Sequence, residues 1–164
     1  ELGSTVASKL LALGFNVAGW SRRPKRLTGV YCSTDLEDVL TRSDAAVCLL
    51  PLTPQTKGIL NKNGFEKIRK HGCVINFARG AHLVEADLIA ALDSGHLAHA
   101  YLDVFETEPL PPGSPLWTHP GITLTPHIAA LTEPRTSVGK IAENIERIRR
   151  GEPPLNTVDF SAGY

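Results

Sequence analysis

The chain has 164 residues, and its 17 Lys and Arg are balanced by 17 Asp and Glu. That length supports one well-buried domain. The even charge argues against a nucleic-acid partner, and no apolar run approaches the length of a membrane span. Its cysteines, Cys32, Cys48 and Cys73, lack metal-ligand spacing. Two of them sit inside apolar runs and read as buried thiols, which fits a reducing, cytoplasmic compartment.

Glu1-Leu2-Gly3 leads straight into a helical pattern that runs from Leu2 to Leu13 and stops at Gly14, a natural C-terminal cap. These three residues look like the end of a Gly-x-Gly-x-x-Gly turn. With no initiating Met, the expectation is a chain that starts inside that turn, with the preceding strand and any targeting segment upstream. Phe15 to Trp20 reads as a strand. Thr34 followed by Glu37 resembles a capping box opening a helix over Leu36 to Thr41. Ala45 to Leu50, a continuous apolar run bounded by Asp44 and Pro51, suits a strand buried on both faces.

Further along, Asn61 to Arg69 reads as a helix ending near Gly72, and Cys73 to Asn76 as a strand. Val84 to Leu92 is a helix closed by Gly95. His99 to Val104 and Ile122 to Thr125 are the last strands, and the Pro-rich stretch Pro109 to Pro115 is a loop between them. From Glu133 a long helix carries Val138, Ile141, Ile145 and Ile148 as one apolar stripe, with Pro134 in its first turn. The tail from Gly151 has no clear period. Alternating strands and helices predict an α/β fold with a doubly wound parallel sheet. The expected organisation is a nucleotide-binding domain over residues 1–131, with residues 132–164 returning toward a second domain.

Ligands of such sheets bind beyond the carboxyl ends of the strands, and the polar clusters of this chain fall there. A helix N-terminus at Leu2 and Gly3 offers amides to a pyrophosphate. An NAD-binding domain places an acid at the end of its second strand, to accept hydrogen bonds from ribose hydroxyls. Here Ser21 stands in that place, followed by Arg22 and Arg23. A carboxylate would repel a 2′-phosphate, whereas two guanidinium groups can bind one. The cluster could be an ordinary solvated turn, but its position favours NADPH over NADH.

Three further strand ends carry Arg79, Glu108 and His127. Each residue alone is unremarkable; together at one sheet edge they form a coherent set. Arg79 can grip the carboxylate of a 2-oxoacid with two parallel hydrogen bonds. His127 can protonate the carbonyl oxygen as a dinucleotide reduces the carbonyl carbon, and Glu108 can orient and charge the imidazole.

The segments Leu49 to Thr56, Ile75-Asn76-Phe77-Ala78-Arg79-Gly80, Asp103 to Leu110 and Leu124 to Ala129 resemble the D-isomer-specific 2-hydroxyacid dehydrogenases. The resemblance implies a Rossmann-type domain in which Arg79 binds substrate carboxylate, His127 is the acid/base and Glu108 its partner. It places Leu50, Pro51 and Thr56 along the cofactor cleft, and Phe77, Ala78, Arg79, Asp103 and His127 around the nicotinamide end. Leu110 to His119 and the ending Val158 to Tyr164 resemble the glyoxylate/hydroxypyruvate reductases within the family, which implies NADPH-driven reduction of small 2-oxoacids and a homodimer. It also implies an N-terminal substrate-domain segment that this chain lacks, so the chain alone is not expected to turn over. Two other readings stay open. One is a dehydrogenase for another 2-oxoacid. The other is a non-catalytic dinucleotide sensor built on the same fold. A different Rossmann enzyme, such as a methyltransferase, would have no use for the Arg–Glu–His set.

Overall fold

The structure, a computed structural model, describes residues 2–130 and 133–158. Six short strands alternate with five helices. In chain order these are α1 (Leu2–Ala12), β1 (Val17–Trp20), β2 (Val30–Ser33), α2 (Leu36–Leu40), β3 (Ala45–Cys48), α3 (Lys62–Lys67), β4 (Gly72–Asn76), α4 (Glu85–Asp93), β5 (Leu97–Leu102), β6 (Ile122–Leu124) and α5 (Pro134–Arg149). No helix among the described residues is long and apolar enough to cross a membrane. The boundary expected at 131–132 and the ending from Asp159 lie outside the described residues, as does Glu1.

Local chemistry accounts for most of the element ends. Gly14 adopts φ +85°, and its N–H and that of Phe15 close the last turn of α1 onto Leu11 and Leu10. Asn61 caps α3 by accepting from the Gly64 amide. The cap of α2 differs from expectation. Asp35, not Thr34, is the N-cap, its carboxylate accepting the Glu37 amide at 3.0 Å. The Thr34 carbonyl instead receives the Trp20 indole N–H. The strand β2 carries no sequence signal of its own. Four residues at a sheet edge, with Tyr31 exposed, are too short to show a period.

All pairings are parallel. β1 pairs with β2, and β3, β4, β5 and β6 lie side by side in that order. The crossovers through α3 and α4 put those helices side by side on one face of the four-stranded sheet. There Phe65, Ile68, Leu88, Leu92 and Leu97 close over Val74 and Ala100 to form the core. The opposite face is less covered than expected. In β3, Ala45 and Val47 are exposed, as is Tyr101 in β5. The apolar run at β3 thus does not mark burial on both faces, because the crossover helices of β3–β4 and β4–β5 pack on the same side. The apolar stripe of α5 has the predicted spacing, and its four residues are exposed.

This topology places the loops after β3, β4, β5 and β6 along a single edge. Every buried polar side chain among the described residues belongs to that edge: Thr53, Thr56, Asn76, His82 and Asp103.

Candidate active site

β4 ends at Asn76, whose side chain is fully buried. Its amide accepts from the Ala78 N–H at 3.1 Å and donates to the Arg79 carbonyl at 3.0 Å. Both ends of one side chain therefore shape the turn that presents Arg79. The Arg79 side chain is exposed, with one guanidinium N–H donated to the neighbouring Ala78 carbonyl at 2.6 Å. Gly80 follows, and it has to be glycine. A Cβ there would lie 1.8 Å from the Phe105 carbonyl carbon and 2.3 Å from the Glu106 nitrogen. The Arg79 turn is thus stacked directly on the backbone that leads to Glu108.

Glu108 sits in the loop after β5. One carboxylate oxygen accepts the Phe105 amide at 3.0 Å, and the other lies 2.7 Å from His127 Nδ1. The hydrogen bond to His127, helped by the Phe105 amide and by the charges of His127 and Arg79, holds the Glu108 carboxyl below its ordinary value. An ionised carboxylate only accepts, so His127 Nδ1 carries the proton in this pair. Nε2 is then left for chemistry, on a side chain that is about half exposed at 49%.

His127 follows β6 in a left-handed backbone conformation, φ +55°, which a non-glycine residue adopts only when its surroundings impose it. Asp103 imposes it. Its carbonyl accepts the His127 amide at 2.9 Å, and its carboxylate accepts the Ile128 and Ala129 amides, each at 2.9 Å, together with the Thr125 hydroxyl. Burial opposes ionisation of Asp103, but these donors together outweigh it and hold the carboxyl below its ordinary value. Arg79, Glu108 and His127, expected at three strand ends, are thereby brought to one place.

The remaining expected residues divide by what their side chains do. Leu50 is half-buried, Pro51 and Phe77 are exposed, and Ala78 is buried under the turn. Thr56 is 1% exposed, and its hydroxyl is donated to the Pro51 carbonyl at 2.7 Å while accepting from the Thr53 amide. It braces the loop after β3. At the end of β1, Ser21 donates to the Arg23 carbonyl at 2.7 Å and so shapes the turn, while Arg22 and Arg23 are exposed. No carboxylate stands in that turn, so its donor set is cationic and suits a phosphate. At the N-terminus of α1, a Cβ on Gly3 would meet nothing within 4 Å, so the first turn is open to close approach.

The residues of this edge that sequence reasoning did not single out are Thr53, Asn76, Gly80 and His82. Asn76 and Gly80 lie within the segment that carries Arg79; Asn76 works through hydrogen bonds inside its own turn, whereas the role of Gly80 depends on contact with the β5 loop, which no local pattern reveals.

Residues 1–129 match the family model described as the D-isomer specific 2-hydroxyacid dehydrogenase, NAD binding domain. Glyoxylate/hydroxypyruvate reductase A of Serratia proteamaculans is 49% identical over 99% of this chain, and that of Photorhabdus laumondii is 48% identical over the same share. The chain spans 53% of the length of each of these relatives. Among solved structures, a D-isomer specific 2-hydroxyacid dehydrogenase from Xanthobacter autotrophicus, in complex with NADPH and MES, superposes with a TM-score of 0.95 at 49% identity, covering 99% of this chain and 69% of that one. An NADPH-dependent glyoxylate/hydroxypyruvate reductase from Sinorhizobium meliloti, in complex with NADP and sulfate, gives 0.94 at 44% identity, covering 99% and 54%. The family match runs through the strand ends that carry Arg79, Glu108 and His127, and the chain belongs to the D-isomer specific 2-hydroxyacid dehydrogenase family.

Proposed function

We propose that the protein reduces small 2-oxoacids, glyoxylate and hydroxypyruvate among them, with NADPH. The observation that carries this reading is the 2.7 Å pair between His127 Nδ1 and an ionised Glu108, within the field of Arg79 at the edge of a parallel sheet. Relatives of the same name at nearly half identity, and NADPH or NADP in two similar structures, support it.

In this reading the dinucleotide lies along the carboxyl edge. The amides at Leu2 and Gly3 face its pyrophosphate, and Arg22 and Arg23, in the turn shaped by Ser21, take the 2′-phosphate. Leu50 and Pro51 wall the cleft, with Thr56 bracing them, and Phe77, Ala78, Arg79, Asp103 and His127 surround the nicotinamide end. When bound, NADPH supplies a hydride to the carbonyl carbon of the 2-oxoacid. Arg79 holds the substrate carboxylate and draws electron density from the adjacent carbonyl. His127 donates the Nε2 proton to the carbonyl oxygen, and Glu108 keeps the Nδ1–H aimed at itself, so that Nε2 faces the substrate. In the oxidative direction the same nitrogen is the base. Asp103 acts mainly through the loop it fastens, setting where His127 stands. The same reading includes residues 132–164 returning toward a substrate domain, a homodimer, and a cytoplasmic setting in which Cys32, Cys48 and Cys73 stay thiols.

A side-by-side assay of the full-length protein with NADPH and NADH, across glyoxylate, hydroxypyruvate and bulkier 2-oxoacids, tests it. NADPH oxidation with the two small acids is the expected result. Dinucleotide binding without turnover of any 2-oxoacid would replace the reductase by a non-catalytic sensor.

A further inference from the structure

We infer that His82 is a positioning residue, which sets the place of Arg79 by tying its turn to the loop after β3. The inference rests on the reading of Arg79 as the group that grips the substrate carboxylate. His82 lies in the short 3-10 turn Gly80–His82 and is 0% exposed. Its two ring nitrogens point to different loops. Nδ1 lies 3.0 Å from the Arg79 carbonyl oxygen, and Nε2 lies 3.3 Å from the Pro51 carbonyl oxygen. Those loops leave adjacent parallel strands, β3 and β4, and form neighbouring walls of the edge.

An imidazole buried this completely needs partners to offset its desolvation, and a filler of that volume would be apolar. Both partners of His82 are carbonyl oxygens, which can only accept, so a neutral ring donates to one of them; with the proton on Nε2 it ties Pro51 to a turn whose Arg79 carbonyl the His82 backbone amide already holds. The anchor points are also specific. The Arg79 carbonyl already receives the Asn76 side-chain amide at 3.0 Å and the His82 backbone amide at 3.2 Å, so its peptide is held from below. The Pro51 carbonyl receives the Thr56 hydroxyl, so its loop is braced from within. His82 joins these two local units. The guanidinium belongs to the residue whose carbonyl is held, and a bidentate grip tolerates little displacement.

The test is a double-mutant cycle in the full-length protein, with kcat and KM measured against glyoxylate and the NADPH Kd measured by fluorescence titration without a 2-oxoacid. His82→Phe keeps the volume and removes the ring's hydrogen bonding to either carbonyl. It is expected to raise KM for the 2-oxoacid about tenfold, with a rise in NADPH Kd of no more than about threefold. Placed on Arg79→Lys, the same substitution is expected to add less than about a twofold change in kcat/KM, because both act on one grip. Should His82→Phe fail to fold by circular dichroism, His82→Gln takes its place in the cycle. Its amide can reach one carbonyl, and an intermediate rise in KM is expected. An unchanged KM, or fully additive effects on the Arg79→Lys background, overturns the inference and leaves the reductase reading standing. A wild-type protein that turns over no 2-oxoacid ends both.

Discussion

At the scale of single residues, the site depends on which carboxylates are ionised and what they hold. Glu108 contributes a charge and a direction to His127. Glu108→Gln keeps the shape and removes the charge, and steady-state assay should find kcat lower by about ten- to a hundredfold, the worth of one charge-assisted hydrogen bond. Asp103 works through backbone amides. Its carboxyl is held below the ordinary 3.8, so the ionised form contributes stability above that pH, and the contribution is lost as pH falls through the lowered value. Urea unfolding should therefore find Asp103→Asn most destabilising near pH 7, with its deficit against wild type shrinking toward pH 3. At the other end of the edge, Arg22→Ala with Arg23→Ala should weaken NADPH by at least about tenfold while changing NADH little, because only NADPH carries the 2′-phosphate. Binding titrations with the two dinucleotides measure this, and equal losses would move the phosphate site elsewhere. The residues proposed to carry the chemistry could be picked out in the sequence because Arg79, Glu108 and His127 each follow an apolar run at a strand end. The use of Asp103 as a loop clamp could not, since it depends on the left-handed turn at His127 that brings the Ile128 and Ala129 amides onto one carboxylate.

At the scale of elements, caps and crossovers decide where the loops emerge. The helices α1, α3 and α4 were legible from their glycine or asparagine ends together with apolar spacing. Two features escaped. β2 is four residues long and lies at an edge, so it has no room to display alternation. The apolar run at β3 implied two covered faces, yet composition alone cannot tell on which side the crossover helices will pack. Contacts between loops were equally hidden. Gly80 meets the Phe105–Glu106 backbone, a neighbour that cannot move aside as a side chain would. Gly80→Ala should cost about 3 kcal/mol or more in urea unfolding and lower turnover as well, since relieving the clash separates Arg79 from Glu108. A variant of wild-type stability and activity would show that these loops are not packed as described.

At the scale of the whole molecule, stability is concentrated in the four-stranded sheet. β4 and β5 have neighbours on both sides and the core cluster above them, whereas among the described residues β1 and β2 pair only with each other. A two-stranded ribbon is marginal unless other elements pack on it. Hydrogen–deuterium exchange should find the amides of Gly72–Asn76 and Leu97–Leu102 protected at least about tenfold longer than those of Val17–Trp20 and Val30–Ser33. Uniform protection across both sheets would count against this division.

The close stacking of Gly80 on the β5 loop also bears on how such a scaffold can acquire new preferences. Backbone pressed against backbone leaves no latitude for gradual retuning from beneath, because nearly any side chain added there forces the two segments apart. Variation has to be tolerated above them instead, at outward-facing positions such as Phe77 and Ile128. There a change of size or polarity leaves the packed backbone below in register.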